Sequence, residues 1–339
     1  MRPSVAVFRF AHQAYFADTC EPLKRAAARG DVQLRARGRG AYPGASLPEK
    51  ALPEVRSFGC WDAAHNQEWG LDWHRNEGIE LTYLSRGKVH FGVDNGVNNQ
   101  EFLLKRGDLT VTRPWQLHRV GNPGVTACHL HWLILDVGVR RPNQAWNWPK
   151  WLVSSASDIQ SLTAMLSHNE QPVWQANDEV EYYFEQLVVA IEPFNESRAK
   201  LYITGLLVAI TELLHHHRPT LDKSLSSAQR TVELFLASLP ERVDAPWDLA
   251  MMAAACGLGR SRFTHYCKEI TNMSPIEYLT CCRVEAATHL LRTQCQLSIT
   301  DVVLRCGFDS SQYFTKVFHS RAGCSPRDYR RQEVTTPHG

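Results

Sequence analysis

The strongest constraint in this sequence is a duplication close to its C-terminus. Cys256-Gly257-Leu258, Phe263, Ser274-Pro275 and Tyr278 recur as Cys306-Gly307-Phe308, Phe314, Ser325-Pro326 and Tyr329. The glycines lie 50 residues apart, the phenylalanines, Ser-Pro pairs and tyrosines 51 apart. One residue is therefore inserted between glycine and phenylalanine in the second copy. A small residue, a glycine free to take φ > 0 and an apolar plug make the turn of a helix-turn-helix unit. In the first copy Asp248 is a plausible N-cap for a helix carrying Leu249, Met252 and Ala253. The second helix then runs from Arg260 to Thr271, with Phe263, Tyr266, Cys267 and Ile270 on its apolar face. In the second copy Phe314, Val317 and Phe318 take the buried positions.

The opposite faces carry the chemistry. Ser261, Thr264, His265 and Lys268 in the first copy match Gln312, Thr315, Lys316 and His319 in the second, each shifted by 51. Gln can pair bidentately with adenine, Lys with guanine, and Ser or Thr hydroxyls, including Ser311, bond bases or phosphates. Arg260, Arg262 and Lys268 can neutralise phosphates and supply salt-dependent affinity. A single polar helix face is usually only solvated; two copies with matching faces and turn glycines point to a DNA reader. Between them, residues 276–293 carry Val284, Ala287, Leu290 and Leu291 as an apolar stripe, while Arg283, Glu285 and Arg292 are expected to stay wet. Eighteen helical residues span about 27 Å. That spacing could set two reading helices about one DNA turn, roughly 34 Å, apart.

Bulk numbers agree with a soluble globular chain long enough for two domains: 339 residues, 44% hydrophobic and 21% charged. The net charge of +2 is weak support for nucleic-acid binding, so local charge placement matters more. No apolar run reaches membrane-spanning length, and Met1 to Phe16 does not read as a signal peptide. Ten cysteines without a C-x-x-C pair read as reduced thiols rather than a disulfide scaffold or zinc ribbon.

Residues 1–58 are expected to form an irregular arm, since Asp31 to Glu54 is rich in Arg, Gly and Pro. From 59 to about 139 the pattern is of short strands: Ile79 to Leu84, Val89 to Val93 ending at the turn signal Asp94-Asn95-Gly96, Phe102 to Leu104, Leu109 to Thr112 and Cys128 to Leu135. Such spacing argues for an antiparallel sandwich or barrel. Gly107-Asp108 with Pro114 and His118 resembles the second motif of cupin-type barrels, and Glu80 with Gly87 the end of the first. The metal-binding version needs a His-x-His pair ahead of the glutamate, which is absent. Glu80, His118 and either His74 or His131 remain as possible ligands. A pocket for one small ligand is the favoured reading, with Trp73, Glu80, Tyr83 and His118 lining it and no metal or other cofactor.

The Trp146 to Trp151 stretch marks a boundary. Helices follow from near Ser157, from Val180 to Ile191 (stopped by Pro193), and after Asn195 to the His215-His216-His217 cluster. The histidines read as a solvated helix end. The second and third of these helices have apolar surface to spare, for covering the barrel or for self-association. Residues 219–227 read as a linker.

Residues 227–331 resemble the DNA-binding domain of AraC/XylS-type transcription regulators. The resemblance rests on Trp247, Leu249, Gly257, Phe263, Ser274-Pro275, Tyr278, Arg283, Ala286, Leu290-Leu291, Ile299, Gly307-Phe308, Phe314, Phe318, Gly323, Ser325-Pro326 and Tyr329. Asn272-Met273 stands where a glycine is usual before Ser-Pro, and Cys267 where an aromatic is common; both are packing changes. Residues 60–140 are similar to the family's cupin-like sensor domain. The resemblance implies that a small molecule in the barrel changes the placement of the reader, within a homodimer. The expected fold class is α+β: an arm (1–58), a cupin-like antiparallel β-barrel (59–150), a helical linker and dimerisation segment (151–222) and an all-α domain with two helix-turn-helix motifs (227–331). The expected function is a cytoplasmic DNA-binding regulator, not an enzyme and not a membrane protein. A cupin-type metalloenzyme with a DNA-binding tail is the alternative, separable by metal analysis.

Overall fold

The computed structural model describes residues 5–10, 13–18, 20–94 and 99–334. The chain divides into two units between Ser227 and Ala228. The N-terminal unit opens with an antiparallel hairpin of β1 (Val5–Phe10) and β2 (Gln13–Asp18), followed by α1 (Glu21–Arg29). Then come β3 (Gln33–Gly38), β4 (Ala45–Ser46), β5 (Val55–Ala63), β6 (Leu71–His74), β7 (Ile79–Asp94), β8 (Asn99–Lys105), β9 (Asp108–Thr112), β10 (His118–Val120) and β11 (Cys128–Leu135). Helix α2 (Ala156–Ser167), β12 (Val173–Gln175), α3 (Asp178–Val189) and α4 (Glu196–His217) complete the unit.

One layer has the strand order β12-β9-β7-β11-β5-β3-β4; the other is β6-β10-β7-β8. Strand β7 serves both. The sequence suggests two strands broken at Gly87, but the structure holds a single strand of 16 residues. Its first half pairs with β9 and β11, its second with β8 and β10. The strand can change layers because Ser85 is an extra residue between the Leu84–Leu130 and Arg86–His129 pairs, a β-bulge that bends it. Gly87 completes the bend at φ +84°, where a Cβ would lie 2.2 Å from the Ala127 carbonyl oxygen.

Strands β5 and β11 are buried almost throughout because both their faces are covered. Trp61, Leu84, Leu130, Trp132 and Ile134 face the barrel interior with Leu23 and Ala26 of α1. Phe58, Ile79, Leu81, Tyr83, Leu133 and Leu135 face outward, under α2, α3 and α4. Helix α4 is capped by the Asn195 side chain and ends at the three exposed histidines.

The arm expected at 1–58 is corrected by α1, β3 and β4. Its helix has signals the Arg/Gly/Pro-rich composition obscured: Pro22 in the first turn, buried Leu23 and Ala26, and Gly30 in the left-handed C-cap position at φ +78°. Of the expected turn Asp94-Asn95-Gly96, the last two residues lie outside the described residues.

The C-terminal unit is helical: α5 (Ala228–Ser238), α6 (Leu249–Ala255), α7 (Arg260–Thr271), α8 (Pro275–Thr293), α9 (Ile299–Arg305), α10 (Ser311–Ala322) and α11 (Pro326–Val334). Asp248 caps α6 by accepting from the Met251 amide at 2.6 Å. Two separate cores form. Val232, Phe235, Trp247, Met252, Phe263, Cys267, Leu279 and Cys282 belong to the first half, Leu279 packing in its core and Cys282 buried one turn along α8. Val284, Ala287, Leu291, Val302, Phe308, Phe314 and Phe318 make the second. Helix α8 contributes to both.

Candidate functional site

Two places converge functional side chains, one in each unit. In the C-terminal unit, packing decides which side chains remain outward. Phe263 and Cys267 of α7, and Phe314 and Phe318 of α10, are fully buried, which turns the 51-shifted polar positions to solvent. Arg260, Ser261, Arg262, His265 and Lys268 are exposed and Thr264 is half-buried. Arg262 lies along its own helix, 3.3 Å from the Tyr266 hydroxyl. On α10, Ser311, Gln312, Thr315, Lys316 and His319 are all exposed, and together they line one open depression. The Ser310 side chain caps the start of α10, and Thr315 donates to the Ser311 carbonyl at 2.8 Å. Ile270, expected on the apolar face of α7, lies at its margin and is 36% exposed.

In the barrel, Glu80 and His118 meet as the sequence suggests: His118 Nε2 lies 2.7 Å from Glu80 Oε2. Asn76 Nδ2 donates to the same oxygen at 2.6 Å. His74 joins them, its ring centroid 4.2 Å from that of His118. A second bulge brings it inward. His118 pairs with His74 and Val120 with Leu71, so Asp72 and Trp73 together oppose Arg119 alone. The same bulge turns Trp73 away from the interior, where its ring lies 4.8 Å from the Arg119 guanidinium. Trp73 is therefore not brought to the Glu80–His118 group.

Tyr83 is also corrected. Glu80 and Tyr83 are three residues apart on one strand, and alternation puts them on opposite faces. Glu80 and Thr82 point inward; Tyr83 points outward and stacks on Phe184 of α3 with centroids 5.8 Å apart. His131 is on that outer face as well, near Tyr83 and Phe184, so it is not a partner for Glu80. The same parity names interior residues the sequence reading passed over: Cys20, Tyr42, Trp61, Thr82 and Trp132 line a cavity with Glu80. Beside it, Tyr42 donates to Glu77, which pairs with Arg56, which pairs with Asp136.

Burial opposes charge on His118 and Glu80, but each compensates the other. The His118 pKa is raised and that of Glu80 lowered. Burial and the neighbouring His118 push His74 down to about 4. Ligand atoms of His74, Glu80 and His118 all lie within 4.8 Å of one another. Both rings are anchored through Nδ1, to the Asp72 and Gln116 carbonyls at 2.6 and 2.9 Å, the usual way imidazole ligands are oriented. These three residues are the ones that would hold a divalent transition metal. The Glu80 charge is already balanced by His118.

The comparisons with known proteins fall on the same two units. A helix-turn-helix domain model matches residues 252–332, and a cupin domain model matches residues 64–134. The transcriptional activator RhaR of Cronobacter sakazakii is 27% identical over 271 residues, covering 76% of this chain and 86% of that protein. The chain is thus similar, in both units, to AraC-type transcription regulators. The activator RhaS of Shigella boydii is 30% identical over 168 residues; that match spans 47% of this chain and only 57% of RhaS. Both relatives are helix-turn-helix transcriptional activators. Among solved structures, the DNA-binding domain of AdpA in complex with a target DNA is 28% identical, covering 32% of this chain and 97% of that one, with a TM-score of 0.31. Among the described residues, no helix is long and apolar enough to cross a membrane.

Proposed function

We propose that this AraC-type chain is a DNA-binding transcription activator that presents α7 and α10 to successive segments of the major groove. The observation that carries this is the pairing of outward positions: four polar residues on each helix, matched at an offset of 51, above a buried frame matched in the same way. Arg260, Arg262 and Lys268 engage phosphates, and Gln312, Lys316 and His265 engage base edges. The test is a gel shift on the promoter the chain regulates. Gln312→Ala with Lys316→Ala should weaken binding by about tenfold or more, since one good bidentate base contact is worth about 1–3 kcal/mol. The melting temperature should not move, because both side chains are exposed. Unchanged affinity in the double variant would overturn the reading face.

The barrel is the proposed seat of a small-molecule effector; the cavity between Trp61, Trp132 and Tyr42, beside Glu80, is only about 20 Å³ as it stands, so an effector has to widen it on entry. Self-association is proposed through α3 and α4, where Tyr182 (51% exposed) and Leu201 (64%) leave large apolar side chains in solvent.

A further inference from the structure

Arg283 does not stay wet, as its place among the polar positions of α8 suggests. It is half-buried, its Nε donates to the Val243 carbonyl at 3.0 Å and its Nη2 to the Ala245 carbonyl at 2.9 Å. Those carbonyls belong to the loop entering the first helix-turn-helix half. The same guanidinium lies 5.9 Å from the ring of Phe308, in the turn of the second half. Gly307 closes the joint from the other side. It has φ +73°, and a Cβ there would lie 2.2 Å from the Val243 carbonyl oxygen and 2.9 Å from Arg283 Nη2.

The position of this joint gives it meaning. Along α8, Leu279 packs in the first core, while Val284, Ala287 and Leu291 pack in the second. Arg283 stands at the seam between them. Two independent apolar cores do not by themselves fix an angle to each other, because hydrophobic contact is non-directional. Directional hydrogen bonds from a planar, always-charged group do fix one. The geometry points to Arg283, with Gly307, as the positioning element that sets the two reading helices in register, and so sets the spacing of DNA half-turns the chain accepts. Arg283 touches no DNA in this account; it acts through α7 and α10. The inference rests on the proposed DNA reading.

The test uses full-length protein and duplexes selected from a random pool by the wild-type chain, together with the same duplexes lengthened by one or two base pairs between the two contacted half-turns. The wild type should lose at least about tenfold in affinity on lengthening. Arg283→Ala and Gly307→Ala should bind the original duplex about tenfold more weakly, as expected for losing charged hydrogen bonds. Their penalty for lengthening should fall below about threefold. Arg283→Lys, which keeps the charge and the stem, should lie between the wild type and Arg283→Ala. Variants that retain circular dichroism and the full wild-type spacing penalty would overturn the proposal whatever their affinity. Hydrogen exchange on the DNA-free protein separates this from failure of the DNA reading. In Arg283→Lys, amides of residues 243–247 and 306–309 should exchange at least about tenfold faster while those of Phe263 and Phe314 do not. Unchanged exchange at the joint would sink the positioning role even if DNA binding stands. Wild-type protein that selects no duplex, with exchange still raised, would sink the DNA reading alone.

Discussion

The two helix-turn-helix halves share a buried frame and differ where they meet solvent. Phe263 and Phe314, Cys256 and Cys306, and Trp247 with Leu279 against Phe308 with Leu291 each occupy dry positions in their own cores. Outward, Ser261, His265 and Lys268 correspond to Gln312, Lys316 and His319, which differ in chemistry, and Thr264 corresponds to an unchanged Thr315. The caps differ too. Helix α7 starts at Gly259 without a side-chain cap and ends at Asn272 in the left-handed region, φ +56°. Helix α10 has Ser310 and Gly323 in those roles. A frame that must close a core tolerates little change, while a surface can diverge without unfolding anything.

The shared frame is where a substitution costs most. Phe314→Ala or Phe263→Ala should destabilise the C-terminal unit by about 3–5 kcal/mol, the usual cost of emptying a buried phenylalanine site. Because the cores are separate, local exchange should rise in the half that carries the substitution and not in the other. Equal loosening of both halves by either variant would show a single core instead. A smaller effect separates the reader from the barrel. Among the described residues, neither half of the reader buries a histidine, since His265, His289 and His319 are exposed. The barrel's outer face buries His131 among His129, Ser85, Tyr83 and Phe184, and burial with the charge of His129 pushes its pKa down to about 3. Folded His131 resists a proton that the unfolded chain accepts near pH 6.5. Its stabilisation is thus present at neutral pH and is lost as pH falls from about 6.5 toward 3. At pH 5 the loss is about 2 kcal/mol, on 1.36 kcal/mol per pKa unit. Thermal melts at pH 7 and 5 should show the N-terminal unit shifting down more than the reader, and His131→Phe should reduce that shift. The caps give the smallest effects. Gly323→Ala should cost about 1 kcal/mol through its left-handed backbone alone, as nothing lies within 4 Å of the added Cβ. Asn272→Gly should gain less than that, so melts of the two variants should move in opposite directions.

The reader was legible because a helix repeats its faces without interruption. Once Gly257 and Gly307 fix the turns, a spacing of three and four residues places every outward side chain, and an offset of 51 checks the result. The barrel was less legible because its faces depend on parity, and bulges reset parity. Ser85 shifts β7, and Asp72-Trp73 shift β6 so that His74 faces in and Trp73 faces out. No local signal in the sequence marks either extra residue. Tyr83 is different, since three residues from Glu80 on one strand already places it on the opposite face. Arg283 was hidden for another reason: a charged residue between apolar positions reads as solvated unless the loop carbonyls that receive it are known.

On the proposed function, one chain reads two unlike, successive half-turns of duplex. Hydroxyl-radical footprinting on a selected duplex, at protein concentrations where one chain is bound, tests it most directly. Two protected patches should appear on one face of the duplex, about one helical turn or roughly 34 Å apart, over dissimilar sequences. Gln312→Ala with Lys316→Ala should fade one patch and leave the other. A single protected patch, or two patches over an inverted repeat within one chain's footprint, would contradict the account.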